Sequence, residues 1–181
     1  MSNAYAPAQR ALHWAIAAAV VATVPIGLAM TARGNAGTWD GVTNALYSWH
    51  KAIGFVVLLA MVARIVLRLR LGVPPYPEGF PARFSTLARW FHRLLYALLV
   101  AVPLLGWAGV TAYPALVTVG GLHLPAMPFV PVDQALAGRI FAAHGALALV
   151  HAAHAMVHVA GLVAHVLLWK HAILARMWPR G

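Results

Sequence analysis

Four stretches of the chain are almost continuously apolar. They cover about residues 11–32, 46–69, 87–112 and 138–169. Each reaches the roughly 20 residues that a membrane helix needs. The second is uninterrupted from Ala52 to Ala63 and closes in Arg64, Arg68 and Arg70. The fourth is longer than a bilayer requires, so it is expected to tilt or project. Between the stretches lie strong breakers. GNAGTWDG reads as a short turn, and RLGVPPYPEGFPARF, with its four prolines, as a loop. YPALVTVGGLHLPAMPFVPVD is apolar but broken by prolines and glycines. It is expected to lie on the membrane surface, partly re-entrant. Pro25 and Pro103 fall inside helices, which membrane bundles tolerate. The pattern predicts an all-α integral membrane four-helix bundle, one domain over residues 1–181. The first segment is too long for the apolar core of a signal peptide, so it is read as a retained helix.

Composition strengthens this picture. The 181 residues are 62% hydrophobic and only 9% charged, against about 25% charged in a soluble domain. Thirteen Lys and Arg face three acids, for a formal charge of +10. Those cations sit beside the apolar runs, where topology explains them; no nucleic-acid role is expected. Arg10, Arg64, Arg68, Arg70, Arg83, Arg89, Arg93, Lys170, Arg176 and Arg180 fall on one side of the bundle, and Arg33, Lys51 and Arg139 on the other. The positive-inside rule makes the first side cytoplasmic, with both termini there. With no cysteine, disulfides, thiolate metal sites, iron–sulfur clusters and covalently attached haem are excluded.

The histidines carry the chemistry. Five of the ten lie in HGALALVHAAHAMVHVAGLVAH, residues 144–165, which holds no Asp, Glu, Lys or Arg. Ionisable groups inside a bilayer are costly and point to function. One such histidine would be read as a packed, hydrogen-bonded residue; five on one helix would not. Without thiols or clustered acids, haem iron is the metal centre that imidazoles from facing helices suit best. Zinc would call for three or four clustered ligands.

Spacing and depth select among them. His144, His151, His158 and His165 recur every seven residues, close to one helix face. Seven residues separate groups by only about 10 Å, whereas fourteen give about 21 Å. The candidate pairs are therefore His144 with His158, or His151 with His165. His13 lies 19 residues before Ala32 and His158 lies 20 after Gly138, so both sit about 28–30 Å from the outer helix ends. His50 and His144 both lie just inside the outer boundary. The expected metal ligands are thus His50 with His144 on the outer side, and His13 with His158 on the cytoplasmic side. Each pair would hold one of two b-type haems. His151 is expected to pack or hydrogen-bond between them, and His154 to be structural. His92, His165 and His171 are read as interfacial, and His123 as an ordinary loop residue.

Taken together, these segments resemble the bacterial cytochrome b561 family, in its short, four-helix, di-haem form. RALHWAI resembles the family's opening, WHKAIGFVVLLAMVARIVLRL its second helix, and FHRLLYALLVAVPLLGW its third. HGALALVHAAHAMVH followed by WKHAILARM resembles its last helix and closing motif. The resemblance covers nearly the whole chain. It implies axial ligation by His13, His50, His144 and His158. The chain departs from many relatives at Arg89, Val166 and His171, none of which is a ligand position. Arg10, Arg64 and Arg68 are placed to meet the propionates of the cytoplasmic haem, and Lys51 those of the outer one. Gly27, Gly54 and Gly106 would let a flat ring approach. Trp14, Trp39, Trp49, Trp90 and Trp169 read as interfacial anchors.

Two haems spanning a bilayer would pass electrons. No flavin or nucleotide motif is present, so membrane quinone, ubiquinone by resemblance, is the expected partner. Free-standing members of the family are similar to superoxide oxidase, which oxidises superoxide outside and reduces ubiquinone. The expectation is a superoxide:ubiquinone oxidoreductase in the bacterial inner membrane. The alternative is a cytochrome b subunit relaying electrons to quinone from a soluble redox partner such as a dehydrogenase or hydrogenase.

Overall fold

The computed structural model describes residues 4–76, 80–170 and 173–178. Glu78, His171 and Arg180 lie outside the described residues. The chain forms four long helices: α1 (Pro7–Asn35), α2 (Gly41–Leu71), α3 (Ala82–Ala112) and α4 (Gln134–Leu167). All four are long and apolar enough to cross a bilayer, and the fold is an all-α membrane bundle. At 29, 31, 31 and 34 residues, they run about 44–51 Å, well beyond a hydrocarbon core of about 30 Å.

Each helix begins earlier than its apolar run, and at α1, α2 and α4 a polar group sets the start. Asp40 accepts from the Thr43 amide at 2.8 Å and opens α2. Asp133 accepts from the Leu136 amide at 2.9 Å and opens α4. Gln9 does the same at α1, taking the Ala6 amide at 3.2 Å. The turn between α1 and α2 is clasped by Arg33. Its guanidinium reaches Asp40 at 2.6 Å and its Nε donates to the Thr43 hydroxyl at 2.8 Å. The Thr43 amide and Arg33 together hold the Asp40 carboxyl at about 2, below the usual carboxylate range. Gly72, in the left-handed region at φ 71°, stops α2.

Helix α1 packs on α2, α2 on α3, and α3 on α4. The core lies where the first three meet: Ile16, Val57 and the wholly buried Met61, with Ile53, Tyr96 and Leu99 around them. α1 and α4 are not a closely packed pair. Large apolar residues such as Val21, Leu28, Leu149 and Met156 face outward, as lipid contact requires.

Both described chain ends meet at one end of the bundle. The Tyr5 amide donates to the Arg176 carbonyl at 3.0 Å. Arg176 is buried, stacks 4.4 Å over Tyr76 and donates to the Pro74 carbonyl at 2.5 Å. Trp14 Nε1 donates to the Met177 carbonyl at 2.8 Å. Burial raises the Tyr5 hydroxyl above its ordinary range, so it stays protonated.

The opposite end is covered by the long loop between α3 and α4. From Tyr113 to Val132 it contains no Asp, Glu, Lys or Arg. It folds back along the helices. Trp107 Nε1 donates to the Pro125 carbonyl at 2.7 Å, and the Met127 amide donates to the Thr111 hydroxyl at 3.0 Å. The loop therefore descends beside the last turns of α3. Phe129 at its tip is fully exposed with a positive φ of 66°. A charge-free loop exposing Leu122, Phe129 and Val132 is expected to sit in the membrane interface. The chain lacks cysteine, so a polarity-sensitive dye on Phe129→Cys labels a single site. Emission characteristic of an apolar medium in bilayers is the expected result; a water-like spectrum would contradict it.

Candidate functional site

Two histidine pairs occupy the two halves of the bundle, one near the loop end and one near the termini end. His50 on α2 and His144 on α4 hold their ring centres 6.0 Å apart, with planes at 88°. His13 on α1 and His158 on α4 hold theirs 6.4 Å apart, at 74°. A metal–imidazole bond is about 2 Å long. Two imidazoles on opposite sides of one metal therefore have ring centres about 6 Å apart. Both pairs match that spacing, and no cluster of three or more metal-binding side chains is found among the described residues.

A fourteen-residue step organises both sites. α4 supplies His144 and His158, and α1 supplies Gly27 and His13. α2 supplies His50 and Arg64, and α3 supplies Gly106 and His92. Fourteen residues advance a helix by about 21 Å while nearly restoring its face. Every helix thus delivers one residue to each half.

At the loop end, the two glycines make room for the imidazoles themselves. A Cβ on Gly27 would stand 2.9 Å from His50 Cε1, and one on Gly106 would stand 3.1 Å from His144 Cε1. Gly54 has open space before it instead and lines the adjacent cavity, of about 260 Å³. That cavity receives residues from all four helices, including Thr23, Gly27, His50, Pro103, His144 and His151. His144 Nδ1 lies 2.9 Å from the Val102 carbonyl. A carbonyl only accepts, so Nδ1 carries the proton and Nε2 keeps the lone pair that binds a metal. The Thr23 carbonyl acts on the His50 ring, but His50 Nδ1 completes no hydrogen bond of ordinary geometry. The buried, orphaned nitrogen and the glycine-lined approach both suit a bound prosthetic group.

Lys51 does not point along its neighbour His50. Its ammonium donates to the carbonyls of Ala115 and Val117, pinning the long loop over this half. Two of its three protons are thereby committed away from the cavity. His151 is buried at 6% exposure and lines the same cavity, and neither ring nitrogen has a hydrogen-bond partner among the described residues. Of the two roles expected of it, packing or hydrogen bonding, the structure shows no hydrogen bond.

At the termini end, Arg64 is 8% exposed. It donates to the Gln9 carbonyl at 2.8 Å, and its other amino group stands 3.4 Å from His13 Nδ1. Arg64 and Arg68 both lie over the Tyr96 ring, at 5.7 and 5.3 Å. Arg10 turns away to the Trp178 carbonyl at 2.8 Å. His92, read from the sequence as interfacial, instead packs edge-on against His158 at 5.2 Å. Its Nδ1 donates to the Ala88 carbonyl at 2.5 Å. The fourteen-residue spacing to Gly106 was the signal that could have found it. His154 bridges α4 to α3, stacked 3.7 Å over Phe91 and donating to the Phe91 carbonyl at 3.1 Å. His165 packs against Phe84 and Trp169, and His123 pairs with Val117 in the loop.

Among the described residues, paired imidazoles stand at two depths of an apolar bundle. The family model described as prokaryotic cytochrome b561 matches residues 4–180. The chain therefore belongs to the prokaryotic cytochrome b561 family, whose members are transmembrane b-type cytochromes that bind haem and transfer electrons.

Proposed function

We propose that the chain holds two b-type haems and carries electrons across the bacterial inner membrane from superoxide on the outer face to ubiquinone. His50 and His144 would ligate the outer haem, and His13 and His158 the inner one. Both termini would face the cytoplasm. The observation that carries this reading is the two imidazole pairs, 6.0 and 6.4 Å apart between ring centres, at two depths of one bundle.

The chemistry balances without a further cofactor. Two superoxide anions give two molecules of dioxygen and two electrons. One quinone takes those electrons with two protons and becomes quinol. The haems, when bound, supply one-electron storage at two depths. The chain's residues do the rest. Gly27 and Gly106 let the outer imidazoles seat against α1 and α3. Val102 fixes the tautomer of His144. Lys51 holds the loop over the outer site, and Arg64 faces the inner one. At the outer end, Arg33 is spent on Asp40 and Lys51 on carbonyls. Arg139 is exposed there, so steering of an anion by surface charge is slight. Access to the outer haem edge, not bulk attraction, would set the rate.

Stopped-flow absorbance of the quinone-loaded protein mixed with superoxide tests the activity. Rapid haem reduction followed by quinol formation is expected. Intact haem spectra with no reduction would count against it and favour the relay subunit, whose soluble partner would then be sought by co-purification.

Haem content tests the ligands. His158→Ala is expected to retain one haem per chain, and His151→Ala to retain two. Two haems in the first variant, or one in the second, would show the pairing to be wrong. Gly27→Ala forces a methyl group to within 2.9 Å of the His50 ring. It is expected to weaken the outer haem alone, lowering haem affinity by about tenfold or more, the range for displaced ligand-orienting groups. Full outer-haem occupancy at wild-type affinity would contradict that.

A further inference from the structure

The two imidazole pairs sit in opposite electrostatic surroundings. At the loop end, His144 gives its Nδ1 proton to the Val102 carbonyl at 2.9 Å. A hydrogen bond of that kind makes the ligating nitrogen more basic. A more basic ligand favours the oxidised, more positive metal. His50 faces the neutral ring of His144, with ring centres 6.0 Å apart. Lys51, though next in sequence, turns its ammonium to Ala115 and Val117.

At the termini end the sign reverses. The Arg64 guanidinium stands 3.4 Å from His13 Nδ1. Arginine only donates and does not lose its proton. When His13 holds a metal through Nε2, its Nδ1 carries a proton, so donor faces donor. The contact is then a cation set against the ligand, and it disfavours positive charge on the metal. Burial of Arg64, at 8% exposure, keeps water from screening this interaction. The Gln9 carbonyl anchors the group at 2.8 Å.

Resting on the ligand assignment proposed above, we infer that Arg64 sets a one-way potential step, making the His13–His158 haem the more easily reduced of the two. Arg64 is a positioning residue in this role, acting through His13 without touching substrate. Electrons that arrive at the His50–His144 site then run downhill toward the termini end. A buried unit charge at this range shifts electron sharing between the sites on the order of tenfold or more.

Potentiometric titration followed by haem absorbance tests this. Wild type is expected to show two waves. The wave missing from His158→Ala should be the higher-potential one, an assignment that needs no Arg64 variant. Arg64→Gln should lower that wave and leave the other in place, while Arg64→Lys, which keeps the charge, should lower it less. If the wave missing from His158→Ala is the lower one, or Arg64→Gln moves neither wave or only the other, the inference is overturned and the ligand assignment stands. If His158→Ala retains both haems, the assignment itself has failed, and the inference falls with it.

Discussion

An imidazole in hydrocarbon has to be partnered, and the rest of the bundle is arranged around that cost. A buried polar group without a hydrogen bond loses several kcal/mol of solvation in an apolar medium. Helix α4 carries five histidines from His144 to His165 with no acid or base among them. His154 answers the cost locally through the Phe91 carbonyl, and His165 among aromatic rings. His144 answers it at the Val102 carbonyl and faces His50, as His158 faces His13, while His151 leaves both ring nitrogens without a partner among the described residues. Helices α1 and α4 are not a closely packed pair. The buried cluster around Met61 lies at the α1–α2–α3 seam.

The fourteen-residue step turns this local solution into two sites. An α-helix returns to nearly the same face after fourteen residues, so each helix serves both halves without bending. On α1 and α3 the step joins a histidine to a glycine. The glycine end admits the other helices' imidazoles, and the histidine end adds its own. On α2 it joins His50 to Arg64, which makes the two halves chemically unequal. A bundle with one repeated face thus yields two sites that differ in charge.

The sequence made some of this plain and hid the rest for identifiable reasons. Four predominantly apolar runs, each about 20 residues or longer, predict four membrane helices, and depth counting along them places His13 level with His158 and His50 level with His144. Helix starts were set too late because GVTNA and QALA are not strongly apolar; Asp40 and Asp133 cap them, and a hydropathy pattern does not report a cap. His92 lies near the start of the third apolar run, so depth alone made it interfacial. Only the packing of α3 on α4 turns it toward His158. Gly27 and Gly106 were legible as close-approach positions, but what approaches is an imidazole, and that depends on the rotation of neighbouring helices. Lys51 is placed by the sequence to meet the propionates of the outer haem. Its long side chain reaches the returning loop, a contact between residues more than sixty apart in the chain.

We propose that one chain builds two bis-histidine haem sites. The most direct measurement is the haem-to-protein ratio of the purified wild-type chain, taken together with its low-temperature electron paramagnetic resonance spectrum. Two haems per chain, both low-spin as two strong imidazole ligands require, is the predicted result. A single haem per chain, or a stoichiometric high-spin signal from a haem with an open axial position, would contradict it.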